Sequence, residues 1–131
     1  GAIDLFRKLR QHNIKVGLDT GYPREIADKI LEKVGFKNEI DASVTSDEVS
    51  NGRPDPYMIH ALMNKVRVND VKSVIKVGDT IADIIEGKNA YTKAQIGVLS
   101  GAEDFATLST VRPTIIVNSI QDLQNQNYYS N

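Results

Sequence analysis

Asp79 and Asp83 stand four residues apart in Val77-Gly78-Asp79-Thr80-Ile81-Ala82-Asp83, where a β-branched run gives way to a helical pattern. Residues i and i+4 share one helix face, so two carboxylates there repel each other unless something neutralises them. A hard divalent cation such as Mg²⁺ would do so, because it prefers oxygen ligands. The plainer alternative is a helix cap at Asp79 with a solvated first-turn acid at Asp83, favoured by the helix dipole. Thr20-Gly21 offers a hydroxyl and backbone N–H groups beside a helix start, which suits an anion; an ordinary turn needs the same residues. Arg53, between Gly52 and Pro54, could meet a phosphate with two donors, or be a surface arginine. Taken together, a hydroxyl, an arginine and a carboxylate pair follow three strand ends in chain order. That set describes a phosphoryl site with anion donors, a neutralising cation and metal ligands.

These side chains need a scaffold that brings strand ends together, and the pattern of the chain supplies one. Strands are expected at 14–18, 42–45, 73–77, 94–99 and 114–117, each bounded by turn residues. Between them lie helical stripes: Ala2, Leu5, Phe6 and Leu9; Ile26, Ala27, Ile30, Leu31 and Val34, after Pro23 and before a C′ glycine at Gly35; Ile59, Leu62, Met63 and Val66, after an Asp55 cap and Pro56; Ile81, Ile84 and Ile85. Ser100 and Glu103 have capping-box spacing before Phe105 and Leu108, and Asn118 or Ser119 would cap a short last helix through Leu123. This alternation implies an α/β fold with three layers, a mostly parallel Rossmann-like sheet between helices. In such sheets ligands bind outside the carboxyl ends of the strands. One core is expected over 1–124, with a polar tail at 125–131 that includes Tyr128 and Tyr129.

Composition narrows the classes. The chain has 131 residues, a formal net charge of −1 and no cysteine. One domain is the default at this length. Near-neutral charge argues against nucleic acid or a membrane surface as a partner. The lack of cysteine leaves no disulfide framework and no thiolate metal site. No apolar run reaches the roughly 18 residues of a membrane span, and Asp4, Arg7, Lys8 and Arg10 interrupt the first ten residues, so a cytoplasmic location is expected. His12 and His60 have no partner motif and read as surface or boundary residues. Lys76, inside an apolar strand, lies either at the sheet's edge or near the site.

The segments LDTGYPRE (18–25), VSNGRPDPYMI (49–59), VIKVGDTIADIIEGKNA (74–90) and IGVLSGAEDFATL (96–108) resemble the haloacid dehalogenase superfamily of phosphotransfer hydrolases, and more narrowly its phosphonatase-like members. The likeness runs over nearly the whole chain, with four segments in order. By it, Thr20 matches the threonine that binds the transferring phosphoryl group, with Gly21 beside it. Arg53 matches the third-motif cation, Asp79 the Mg²⁺ ligand, and Asp83 the second acid, which acts through water or by orienting its neighbours. The resemblance also implies an Asp-x-Asp motif on a central first strand, and a helical cap, neither of which occurs in these residues. Its strand order, 5-4-1-2-3, leaves a gap between the strands carrying Val16 and Val77. The expected function is therefore a Mg²⁺-dependent hydrolase of small phosphorylated or phosphonate substrates, working through an aspartyl-phosphate. This chain carries motifs II to IV and is expected to be inactive alone. The alternative is a non-catalytic anion-binding or dimerising remnant; a receiver-like signalling domain ranks last. The gap raises the expectation of a homodimer or a strand-swapped dimer.

Overall fold

The computed structural model describes residues 1–125, and the expectations for Tyr128 and Tyr129 lie outside them. Helix α1 (Ala2–Gln11) leads into β1 (Gly17–Thr20), α2 (Arg24–Lys33), β2 (Ala42–Thr45), α3 (Tyr57–Val66), β3 (Ile75–Gly78), α4 (Ile81–Asn89), β4 (Ala94–Val98), α5 (Phe105–Ser109) and β5 (Ile115–Val117). Short 3₁₀ turns follow β2 at Ser46–Glu48, precede β3 at Val71–Ser73 and close the described chain at Ile120–Asn125.

All strand pairs are parallel, as the alternation requires, but they form two sheets. One is β1–β2, in register from Gly17 opposite Ala42 to Thr20 opposite Thr45. The other has the order β3–β4–β5. Among the described residues no ladder joins β1 to β3. The two strands flanking the expected gap have not closed up on each other.

Each sheet carries its own packing. On one face of β3–β4–β5, Leu5 of α1 meets Ile96, Val98, Val117 and Leu123, with Ile75 and Val77 against them. On the other face α4 packs through Ile84, which is fully buried. Helix α3 covers β1 and β2 with Met58 and Ile59 buried. The result is three layers, helix–sheet–helix. No helix among the described residues is long and apolar enough to cross a membrane.

Several local expectations shift. The first strand runs 17–20, not 14–18, so Asp19 lies in the strand rather than after it. The ladder begins late because Val16 N–H donates to the Asp41 carboxylate at 2.8 Å instead of to a strand carbonyl, although the Val16 carbonyl still accepts Asp41 N–H. Gly35 is the expected C′ residue, with φ +79° after Val34. Pro23 and Pro56 are the N-caps of α2 and α3, so Asp55 does not cap. Asp104, not Ser100, caps α5, accepting Thr107 N–H at 2.8 Å. Glu103 is drawn away to the start of α4, where it accepts Ile81 N–H at 2.9 Å. The apolar face of α2 is only partly used. Ala27 is buried, but Ile26, Ile30 and Val34 stay exposed, because the helix meets the narrow two-stranded sheet mainly at one side.

Ile84 joins α4 to its sheet with no exposed surface. Ile84→Ala is expected to lower unfolding stability by about 2–5 kcal/mol through the cavity it leaves. The check is the denaturation midpoint, and a loss below about 1 kcal/mol would show that α4 is not held there.

Candidate functional site at the facing strand ends

Helix α4 begins with a closed set of hydrogen bonds. Thr80 is its N-cap, and Thr80 Oγ1 accepts Asp83 N–H at 3.1 Å. Asp83 returns the bond. Its Oδ2 accepts Thr80 N–H at 3.2 Å and the Thr80 hydroxyl at 2.9 Å, and also Asp79 N–H at 3.1 Å. This is a capping box, with the acid three residues after the cap. Gly78 permits it, since a Cβ there would fall on the Asp83 side chain. The cap is therefore Thr80, not Asp79, and Asp83 is not a solvated acid: its side chain is 5% exposed.

Arg53 reaches the same carboxylate from the loop after β2. Its Nη1 donates to Asp83 Oδ1 at 2.8 Å. Its Nη2 lies 3.4 Å from where a Cβ on Gly21 would stand. Thr20 ends β1, and its Oγ1 accepts Tyr22 N–H at 3.2 Å, folding the turn so that Gly21 follows the strand directly. The hydroxyl of Ser46 donates to the Gly21 carbonyl at 3.0 Å and pins that turn to the end of β2. Arg53, Gly21 and Asp83 are thus brought together, with Thr20 next to them in the chain.

Asp79 turns elsewhere. Its Oδ2 accepts Ala102 N–H at 3.2 Å, and a Cβ at Gly101 would overlap its carboxylate. Asp79 and Asp83 are linked through the Asp79 backbone, not by converging carboxylates. Instead, among the described residues, Asp19, Asp83 and Glu86 each bring one carboxylate oxygen within 4.8 Å of the others. Lys76 sits among them, its Nζ 3.0 Å from Asp19 Oδ1, 3.0 Å from Glu86 Oε1 and 3.5 Å from Asp83 Oδ1. Neither Asp19 Oδ2 nor Glu86 Oε2 has a hydrogen-bond partner among the described residues.

Charge follows from these contacts. Burial would push Asp83 up, but Lys76, Arg53 and the Thr80 hydroxyl outweigh it and hold the carboxyl below its ordinary value. Burial would neutralise Lys76, yet Asp19, Glu86 and Asp83 hold its ammonium above the ordinary lysine value. Glu86 goes the other way. Burial and then the neighbouring Asp19 carboxyl push it up to about 8, against the opposing pull of Lys76. Protonation of Glu86 relieves the repulsion between like charges held in one buried place.

Sequence reasoning reached Thr20, Gly21, Arg53, Asp79 and Asp83 but passed over Asp19 and Glu86. It left Lys76 between the sheet's edge and the site, and the structure puts it at both. The available signal was charge in apolar surroundings: Asp19 and Lys76 inside strands, and Glu86 one turn from Asp83.

A Glu86 carboxyl raised from 4.5 to about 8 binds its proton more tightly folded than unfolded. Its contribution to stability is therefore complete below about pH 4.5 and is lost as pH rises toward 8, at up to about 1.4 kcal/mol per pH unit. Glu86→Gln should flatten this slope and gain relative stability at pH 8 over pH 5. Parallel melting curves of the two proteins across that range would show Glu86 to be ionised throughout.

The haloacid dehalogenase-like hydrolase family model matches residues 1–96. A phosphonoacetaldehyde hydrolase of Bacteroides fragilis is 41% identical over 107 residues, covering 81% of this chain and 40% of that protein. One of Pseudomonas fluorescens is 40% identical over 91 residues, covering 69% of this chain and 33% of that protein. This chain thus spans two fifths or less of the length of these curated relatives. Among solved structures, a hydrolase of Pseudomonas syringae superposes with a TM-score of 0.86 at 27% identity, over 97% of this chain and 57% of that one. A phosphonoacetaldehyde hydrolase-like protein of Oleispira antarctica gives 0.78 at 25% identity, over 93% and 52%.

Proposed function

The chain belongs to the haloacid dehalogenase-like hydrolases, and from that premise we propose that it forms the phosphoryl-binding part of a Mg²⁺-dependent hydrolase of the phosphonatase and phosphatase type. The observation that carries this reading is the Arg53 guanidinium. One arm is fixed on buried Asp83, and the other lies over Gly21 at the end of β1.

A phosphoryl oxygen placed at that turn would meet the free arm of Arg53, the backbone N–H groups of the Gly21 turn and the Thr20 hydroxyl. These donors are preorganised toward charge that builds up on the transferring group, which is where a fixed electrostatic site contributes most. Asp79 keeps Oδ1 without a protein partner among the described residues, so it has one oxygen to offer a hard cation. Both oxygens of Asp83 are already taken, so its part is to hold Arg53 and the Asp79 backbone from behind. Mg²⁺ bound at Asp79 would neutralise phosphoryl charge. In this reading the attacking carboxylate and the cap that selects the substrate come from outside these 131 residues. The substrate class is small phosphate esters or phosphonates, and the chain alone does not turn over.

The open facing edges of β1 and β3 favour a second reading, in which the chain binds anions or dimerises by accepting a strand. Light scattering decides this part: a monomer at high concentration removes the dimer.

Calorimetric titration with Mg²⁺ and inorganic phosphate tests the site itself. Arg53→Ala should weaken phosphate about tenfold or more, the cost of one charge-assisted hydrogen bond in a half-buried place. A chain extended by the first strand and cap of a relative should hydrolyse a phosphate-ester or phosphonate panel with Mg²⁺, and Asp79→Ala should abolish that turnover. No turnover across the panel would sink the hydrolase reading; turnover by the unextended chain would sink the claim that it is inactive alone.

A further inference from the structure

Two cations and three carboxylates meet where β1 faces β3, and both cations address the same atom. Arg53 Nη1 is 2.8 Å from Asp83 Oδ1, and Lys76 Nζ is 3.5 Å from it. Their other contacts differ. Lys76 is the inner cation, 12% exposed, and also holds Asp19 and Glu86, whose side chains are 3% and 0% exposed. Arg53 is the outer cation, 28% exposed, and sends Nη2 toward Gly21.

Without the ammonium, the buried Asp19 and Asp83 carboxylates would face Arg53 alone, with the Glu86 carboxyl beside them. A buried unpaired carboxylate is costly, and a guanidinium fork bonds carboxylates with two arms. The outer arm would therefore be drawn inward, away from Gly21. We propose that Lys76 is a positioning residue: by neutralising Asp19 and holding Glu86 it lets Arg53 hold Asp83 with one arm and keep the other at Gly21 for an anionic ligand. The role of that ligand rests on the phosphoryl-site reading above. The placement of the guanidinium does not.

The test uses the whole chain with ¹⁵N-labelled arginine, and reads Arg53 Nη proton exchange together with calorimetric binding of inorganic phosphate. In the unsubstituted chain one Arg53 arm should exchange slowly and the other fast; two equally protected arms would overturn the proposal without any variant. Lys76→Met should slow the fast arm and weaken phosphate about tenfold or more. Adding Asp19→Asn removes one negative charge for the positive one lost, and should restore both readouts. Unchanged exchange in Lys76→Met, or failure of the double variant to restore it, would reduce Lys76 to a packing role and overturn the proposal. If Lys76→Met alone does not fold, the charge-balanced double variant decides by the same two signals. If the unsubstituted chain binds no phosphate, the anion-site reading fails, and the exchange asymmetry of Arg53 still decides the part played by Lys76.

Discussion

A single ammonium group joins the two sheets strand to strand. Lys76 reaches from β3 to Asp19 on β1 at 3.0 Å, across a gap that no backbone ladder crosses among the described residues. Burying a lysine this deeply is tolerable only because carboxylates surround it. Burying the Asp19 carboxylate is tolerable only because the lysine is there. Removal of either partner leaves a stranded charge, so the joint acts as a unit. Ionic joints of this kind contribute little net stability over well-packed apolar residues, but they fix geometry. Here the geometry is the spacing of two strand ends.

What stands above that joint depends on it in layers. The Asp83 carboxylate receives the α4 capping bonds on one oxygen and both cations on the other. It thereby couples the start of a helix, the end of β3 and the loop bearing Arg53. Arg7 and Glu39 make a further tie, at 2.7 Å, between α1 and the turn before β2. That pair is largely exposed and water screens it. Position control therefore rests on the inner cluster.

Much of this was legible in the residues. Every strand and every long helix was anticipated, because β-branched runs and 3.6-residue stripes report burial directly. Arg53 and Asp83, thirty positions apart, were both singled out from their places after strands. The inner cluster was not, since Asp19 and Lys76 lie 57 positions apart and meet only because the order of strands brings their edges face to face. Boundaries slipped where a side chain replaced a backbone partner, as Asp41 does at Val16. The spacing of Ser100 and Glu103 satisfied a capping rule, yet Glu103 serves the start of a different helix. Local rules could not see that competition. The division of labour between Asp79 and Asp83 was equally hidden, because Gly78 and Gly101 decide which carboxylate is enclosed and which is turned aside.

The split into two sheets also bears on how the molecule opens. A continuous sheet transmits its cooperativity through ladder bonds, whereas here the halves communicate through side chains and helices. Local opening in proteins follows such seams, in contiguous units with their own free energies. Strand β4, flanked by β3 and β5 and buried along its whole length, would be the last backbone to exchange its amide protons. The facing edges of β1 and β3, joined by no ladder to each other among the described residues, would exchange sooner. The site is thus assembled along the line between the two ladders, and a ligand bound across it would act as a rivet between them.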